Sequence, residues 1–143
     1  MTVRQITLAD VDKIDCLQSR FFPDGWSKCG LIDGINIGNL KGVVCYEDNT
    51  LIAFATYSST VDFAELLDIL VEPSFRQKGV ASKMLNCILE EIQGQSPKMF
   101  LEVREGNAPA VNFYKKLGFT TISIRKKYYP DGENALVMEK ELI

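Results

Sequence analysis

The sequence predicts a mixed α/β domain: a central, mostly antiparallel sheet of about seven strands, with a parallel β-α-β core and helices on both faces. Three observations carry that expectation. Apolar residues recur at strand period and at helical period in the order β, α, α, β, β, β, α, β, α, β, β. A strand–helix–strand unit in the middle of the chain requires a parallel pair joined by a right-handed crossover. Polar turns between strands on either side of it predict antiparallel hairpins. The 143 residues are 46% hydrophobic and 24% charged. That is the length and balance of one globular domain over residues 1–143, and it excludes disordered and fibrous classes.

Each element has its own signal. Val3 to Ile6 reads as a short first strand. Leu8 to Arg20 carries Val11, Ile14 and Leu17 at helical spacing. An aromatic loop, Phe21-Phe22-Pro23-Asp24-Gly25-Trp26, leads to Ser27, which can cap a glycine-interrupted helix running to Ile37. Gly42 to Glu47 and Leu51 to Tyr57 flank the polar turn Asp48-Asn49-Thr50, so they form a hairpin. Phe63 to Val71 is the next strand, ended by Pro73. Val80 to Ile92 is the strongest helix, with Val80, Met84, Cys87, Ile88 and Ile92 on one stripe and Gly94 closing it. Met99 to Val103 is a short strand. Asn107 to Leu117 is a helix with an Asn cap, an early Pro109 and a terminating Gly118. Thr120 to Arg125 and Ala135 to Met138 make the final pair, around Tyr128-Tyr129-Pro130-Asp131-Gly132.

Composition narrows the chemistry. Sixteen basic residues against 19 acidic ones give a net charge of −3, which argues against a nucleic-acid binder relying on a basic face. There is no histidine, so Ser-His, Cys-His and His-ligated metal mechanisms are excluded. Four cysteines, at 16, 29, 45 and 87, have neither C-x-x-C nor zinc spacing, so no metal site is expected. They read as reduced, buried thiols of a cytoplasmic protein. The first residues alternate and reach Asp10 early, unlike a signal peptide, and no apolar run approaches a membrane span. The expected state is a monomer or weak dimer with no membrane or nucleic-acid partner.

The segment between the third internal strand and the best helix is the main motif. Val71-Glu72-Pro73-Ser74-Phe75-Arg76-Gln77-Lys78-Gly79-Val80-Ala81-Ser82 places small residues where a ligand can approach the backbone. Unpaired N–H groups of the helix start and the positive dipole end suit a pyrophosphate, and Arg76 and Lys78 add charge. It is neither a Walker loop nor a Rossmann turn. An ordinary strand–helix loop with solvated charges is the alternative.

Arg76-x-x-Gly79-x-Ala81 after Val71-x-Pro73, with Asn107-x-Pro109-Ala110-x-x-Phe113-Tyr114-x-x-Leu117-Gly118-Phe119 downstream, resembles the GNAT N-acetyltransferase family. Leu101-Glu102-Val103-Arg104, Arg125-x-x-Tyr128-Tyr129-Pro130 and Ala135-Leu136-Val137-Met138 are closest to its RimI type, the ribosomal-protein-alanine N-acetyltransferases. So are Glu65-Leu66-Leu67 and Ile69, while Asp68 stands where that type leads one to expect Asn. The likeness covers Glu65 to Met138 well. Gly25-Trp26-Ser27 resembles the type's Pro-Trp-Ser only loosely.

The resemblance implies that acetyl-CoA is the co-substrate. Backbone groups of Ile69, Leu70 and Val71 would take its pantetheine arm. Arg76, Gln77, Lys78, Gly79, Val80, Ala81 and Ser82 would take its pyrophosphate, and Asn107 would contact it as well as cap its helix. Glu102 matches the proton acceptor and Tyr114 the general acid.

The residues admit this chemistry. Strand alternation puts Phe100 and Glu102 on one face and Met99, Leu101 and Val103 on the other. A partly buried carboxylate there suits a general base, and a salt bridge to Arg104 or Lys98 is the alternative. A neutral phenol at Tyr114, titrating near 10 against 8.5 for a thiol, can protonate or hydrogen-bond a nascent thiolate; on spacing alone Tyr114 is a core aromatic. Trp26, Tyr128 and Tyr129 either line a peptide groove or pack at the sheet edge. An α-amine titrates at ≈ 7.7–8.0 against ≈ 10.4 for lysine, so a modest base favours a protein N-terminus as acceptor. The expected function is therefore Nα-acetylation, for instance of a ribosomal protein. A small-molecule or lysine acetyltransferase and a catalytically silent acyl-CoA-binding module are the alternatives.

Overall fold

The computed structural model describes residues 1–142. Its elements are β1 (Thr2–Gln5), a 3₁₀ turn (Leu8–Asp10), α1 (Val11–Phe21), α2 (Lys28–Ile37), β2 (Lys41–Glu47), β3 (Thr50–Ser59), β4 (Ala64–Val71), a 3₁₀ turn (Pro73–Phe75), α3 (Val80–Ile92), β5 (Lys98–Arg104), α4 (Ala108–Lys116), β6 (Thr120–Arg125) and β7 (Ala135–Glu141). The sheet has seven strands in the order β1-β2-β3-β4-β5-β7-β6. Every pair is antiparallel except β4–β5, which α3 joins. This is the mixed sheet with one parallel core pair that the periodicities predict.

Two apolar clusters flank the sheet. On one face α3 and α4 cover Val43, Ala55, Tyr57, Leu66, Met99, Leu101 and Met138. The buried side of α3 is Val80, Met84, Leu85, Ile88 and Ile92, with Cys87 half-exposed at the stripe's edge. On the other face α1 and α2 bring Val11, Ile14, Leu17 and Leu31 onto Val44, Leu51 and Phe54. A fully buried side chain of this size contributes about 1.5–3 kcal/mol. The α1–α2 layer packs on β2 and β3, with Leu70 of β4 at its border. The same face of β5 and β7 has no helix over it, so Phe100, Glu102 and Val137 remain half-exposed.

Three expectations change. The first helix does not begin at Leu8 as an α-helix: Asp10 closes a capping box with Thr7 and tightens residues 8–10 into a 3₁₀ turn. Asp10 is buried and accepts from Arg4, from the Thr7 N–H and from the Tyr46 hydroxyl. The last strand continues past Met138 to Glu141, because β5 pairs with it along that whole length. Cys45 is buried, but Cys16 and Cys29 are exposed. Cys16 lies beside the Ile14–Leu17 stripe of α1 rather than on it, and Cys29 lies off the Leu31 side of α2.

Candidate functional site

The turn before α3 is built by two residues in the left-handed region, Gln77 (φ 61°) and Gly79 (φ 79°). Gly79 is the N-cap, and a Cβ placed on it would meet nothing within 4 Å, so its α-carbon faces open space. Glycine takes this conformation without strain. The first bond into the helix runs from the Lys83 N–H to the Gly79 carbonyl, at 3.0 Å. The N–H groups of Val80, Ala81 and Ser82 therefore have no acceptor within the helix. Arg76 is exposed, and its Nε donates to the Val71 carbonyl at 3.3 Å. Exposed Lys78 lies 5.4 Å over the Phe75 ring. The seat thus combines free donors, a helix dipole and two cations.

β4 and β5 separate below this turn. Their register holds only at Ala64–Met99 and Glu65–Phe100, although β4 runs on to Val71 and β5 to Arg104. A bulge in β4 falls at Leu67, where the β3 register slips between Thr56–Asp68 and Tyr57–Leu66. Ile69, Leu70 and Val71 stay paired with Ala55, Phe54 and Ala53 of β3. Their edge facing β5 is left without a strand partner. An extended chain with amide groups can add to such an edge.

Glu102 stands on the β5 side of this gap. The alternation of β5 is as expected, with Met99, Leu101 and Val103 buried and Phe100 and Glu102 half-buried. Arg104 and Lys98 do not hold its carboxylate: Arg104 is engaged by Asp131 and Glu133, and Lys98 by Glu139. Arg125 of β6 approaches instead, 3.6 Å from Oε1. Oε2 is buried and has no hydrogen-bond partner among the described residues. A cleft of about 310 Å³ opens beside it, lined by Phe63, Glu65, Phe100, Arg125 and Val137. Phe63 and Phe100 make its apolar wall, edge to face at 5.7 Å.

Tyr114 enters the gap from α4. Asn107 starts that helix, its side-chain oxygen accepting the Ala110 N–H at 3.3 Å. Tyr114 is 7% exposed and packs between Phe113 and Phe119. Its phenol is pushed up to about 12 by burial, and further by the negative charge of Asp68 and by Tyr129. It stays protonated at neutral pH and has no hydrogen-bond acceptor among the described residues.

Aromatic side chains surround these groups. Gln18, buried in α1, clamps the α1–α2 loop through bonds to the Trp26 N–H and carbonyl, 2.8 and 3.0 Å. A Cβ on Gly25 would collide with the end of that Gln18 side chain, so a larger residue there would displace the amide that makes the clamp. The Trp26 ring is half-buried, and its Nε1 donates to the Thr56 hydroxyl at 3.2 Å. Tyr128 and Tyr129 stack edge to face at 5.1 Å in the β6–β7 loop. Arg104 anchors that loop, bonding Asp131 and Glu133 at 2.9 Å and lying 4.0 Å over the Tyr129 ring. The Glu102 carboxylate raises the Tyr128 phenol, so the two groups meet.

The gap gathers Ile69 to Val71, Glu102, Tyr114, Trp26, Tyr128 and Tyr129. Arg76 to Ser82 lie at its outer end, on the turn. Asn107 is exposed at the start of α4 and spends its oxygen on the cap. Arg125 joins as the neighbour of Glu102, and Arg104 as the anchor of the aromatic loop. Asp68, set apart in the sequence only by its residue type, lies in the bulged part of β4; its carboxyl is pushed up to about 6 by burial, which the neighbouring Trp26 indole only partly offsets.

Comparison with known proteins bears on this arrangement. A Haemophilus ducreyi [ribosomal protein bS18]-alanine N-acetyltransferase is 38% identical over 120 residues, covering 79% of this chain and 81% of that protein. An N-alpha-acetyltransferase of Saccharolobus solfataricus is 25% identical over 155 aligned positions, covering 99% and 93%. The crystal structure of the Escherichia coli ribosomal-protein-S18-alanine N-acetyltransferase superposes with a TM-score of 0.89 at 26% identity, over 99% of this chain and 93% of that one. The profile of the Acetyltransferase (GNAT) family matches residues 11–119, from α1 through the Gly79 turn to just past α4. The chain belongs to the GNAT acetyltransferase family.

Proposed function

We propose that this protein transfers the acetyl group of acetyl-CoA to the α-amine of a protein N-terminus, such as the N-terminal alanine of a ribosomal protein, in the cytoplasm. The observation that carries the reading is the gap between β4 and β5, with an unpaired strand edge, a buried phenol and a half-buried carboxylate on its walls. Similarity to bS18-alanine N-acetyltransferases supports the acceptor.

The residues fit acetyl-CoA. The free edge of Ile69 to Val71 suits the amides of a pantetheine arm, and the open left-handed turn at Gly79 suits the pyrophosphate. Gln77 to Ser82 would hold the phosphates through backbone N–H groups, with Arg76 and Lys78 adding charge. Bound there, acetyl-CoA supplies an activated thioester.

Glu102 accepts a proton from the acceptor amine, directly or through one water. Its unpartnered Oε2 is the free acceptor atom, while Arg125 steadies Oε1. Tyr114 directs its hydroxyl proton at the departing sulfur, since burial keeps the phenol protonated. Trp26, Tyr128 and Tyr129 wall the approach of the peptide, and the Phe63–Phe100 cleft receives a side chain near the amine. Holding both reactants together lowers the barrier by several kcal/mol, with about 7–11 as the upper range.

The test is a panel of hexapeptides with different first residues, each with a free or blocked α-amine, incubated with acetyl-CoA and read by mass spectrometry. Acetylation confined to free Ala, Ser or Thr termini is the expected result. Acetylation of lysine in blocked peptides overturns the α-amine assignment.

A further inference from the structure

Asp68 and Glu102 stand on the same face of the sheet, on opposite walls of the β4–β5 gap. Asp68 pairs in register with Thr56 and alternates with Leu70, which packs into the α1–α2 cluster. Glu102 alternates against Leu101 and Val103, which pack into the α3–α4 cluster, so it too points to the α1–α2 side. Besides Glu102 across the gap, the groups around Asp68 are neutral in the free protein: the Trp26 indole from the α1–α2 loop, the Thr56 hydroxyl from β3 and the Tyr114 phenol from α4. The Thr56 hydroxyl already receives Trp26. No cation of the described residues acts on its carboxylate.

An ionised carboxylate half-buried among aromatic rings is costly unless something pairs with it. Glu102 and Glu72 each have a cation of the chain beside them, Arg125 and Arg20. Asp68 lacks one at the point where strand pairing stops and a ligand can enter. The acceptor of the proposed reaction arrives as a cation, because an α-amine with a pKa of ≈ 7.7–8.0 is mostly protonated at neutral pH. We propose that Asp68 is the residue that binds the ammonium form of the acceptor, holding it across the gap from Glu102 before the proton is removed. This rests on the N-acetyltransfer reading and adds the group that selects a cationic primary amine.

Asp68→Asn keeps the shape and removes the charge. Trp26 is the sole tryptophan and adjoins Asp68, so its fluorescence reports binding without turnover. CoA-loaded protein is titrated with an Ala-initiated hexapeptide bearing a free or an acetylated α-amine. The wild type should prefer the free amine. D68N should bind that peptide roughly 10–100-fold more weakly, the range for losing a charge-assisted bond, and bind the acetylated peptide as before. In steady-state assays the loss should fall on the peptide KM rather than on kcat, with the acetyl-CoA KM within twofold. D68N should also melt no lower than wild type at pH 7.5, because the carboxyl titrates higher in the folded chain than unfolded and its ionisation above about pH 6 works against folding. A D68N protein that acetylates the peptide with wild-type KM and keeps the free-amine preference overturns the assignment and leaves the transferase reading intact. A wild type that binds CoA but neither binds nor acetylates either peptide overturns both.

Discussion

Changing Tyr114 to Phe removes one oxygen from the gap and leaves the ring between Phe113 and Phe119, at 5.3 and 5.9 Å. The hydroxyl has no acceptor among the described residues, so melting should barely change at neutral pH. The kinetic cost follows from the phenol's position at about 12. A thiol with its ordinary value near 8.5 lies about 3.5 units lower, so complete proton transfer would be uphill by about 5 kcal/mol. The phenol therefore acts chiefly as a hydrogen-bond donor to the developing thiolate. Such a bond to a charged group contributes about 1.5–3 kcal/mol, or roughly 10–150-fold in kcat. That lies at or below the 10²–10⁴-fold typical of a full general acid. The assay compares kcat of both proteins with acetyl-CoA and with an acetyl donor of more acidic thiol. The deficit should shrink for the second donor, whose sulfur departs with less help. CoA affinity by calorimetry should shift by no more than about tenfold. An equal deficit with both donors would mean that Tyr114 positions the co-substrate. An unchanged kcat would make it a packing residue alone.

Other perturbations probe the remaining parts. Gly79→Val forces a branched residue to φ 79° and sets its Cβ where a phosphate would lie; it should cost about 1–2 kcal/mol of stability and at least tenfold in CoA affinity by calorimetry. Gly38→Val is the control: at φ 86° and equally open space, beyond α2, it carries similar strain and should leave CoA binding unchanged. Glu102→Gln should lower the rate most at low pH and least at high pH, since alkali deprotonates the amine without help; a wild-type pH–rate profile at undiminished rate would move the base elsewhere. For Asp10, burial alone would raise the carboxyl, but Arg4, Tyr46 and the Thr7 N–H hold it at about 2, below its ordinary 3.8. Its folded value is depressed, so it stabilises the fold above about pH 4, on the order of 2 kcal/mol, and that stability is lost as pH falls towards 2. Urea midpoints at pH 7 and pH 3 should therefore differ less for Asp10→Asn than for the wild type.

Much of this molecule is legible residue by residue. The bounds of α3 follow from an apolar stripe that Gly94 closes, the starts of α2 and α4 from Ser27 and Asn107, and the outward face of Glu102 from strand alternation. These features depend on neighbours within about one helical turn or two strand positions, where backbone geometry and side-chain direction are locally coupled. The site itself is decided at longer range. Nothing in the run Glu65–Val71 says that pairing with β5 stops after two residues, because a parallel register is set by how α3 packs across the sheet. The same packing gives the gap its edge, brings Asp68 opposite Glu102 and under Tyr114, and supplies Arg125 where Arg104 and Lys98 were the sequence neighbours. It also leaves Cys16 and Cys29 in solvent, although composition alone favours buried thiols. Periodicity states which way a side chain points; only the closed sheet, with its hydrogen bonds made or left unmade, decides what it faces.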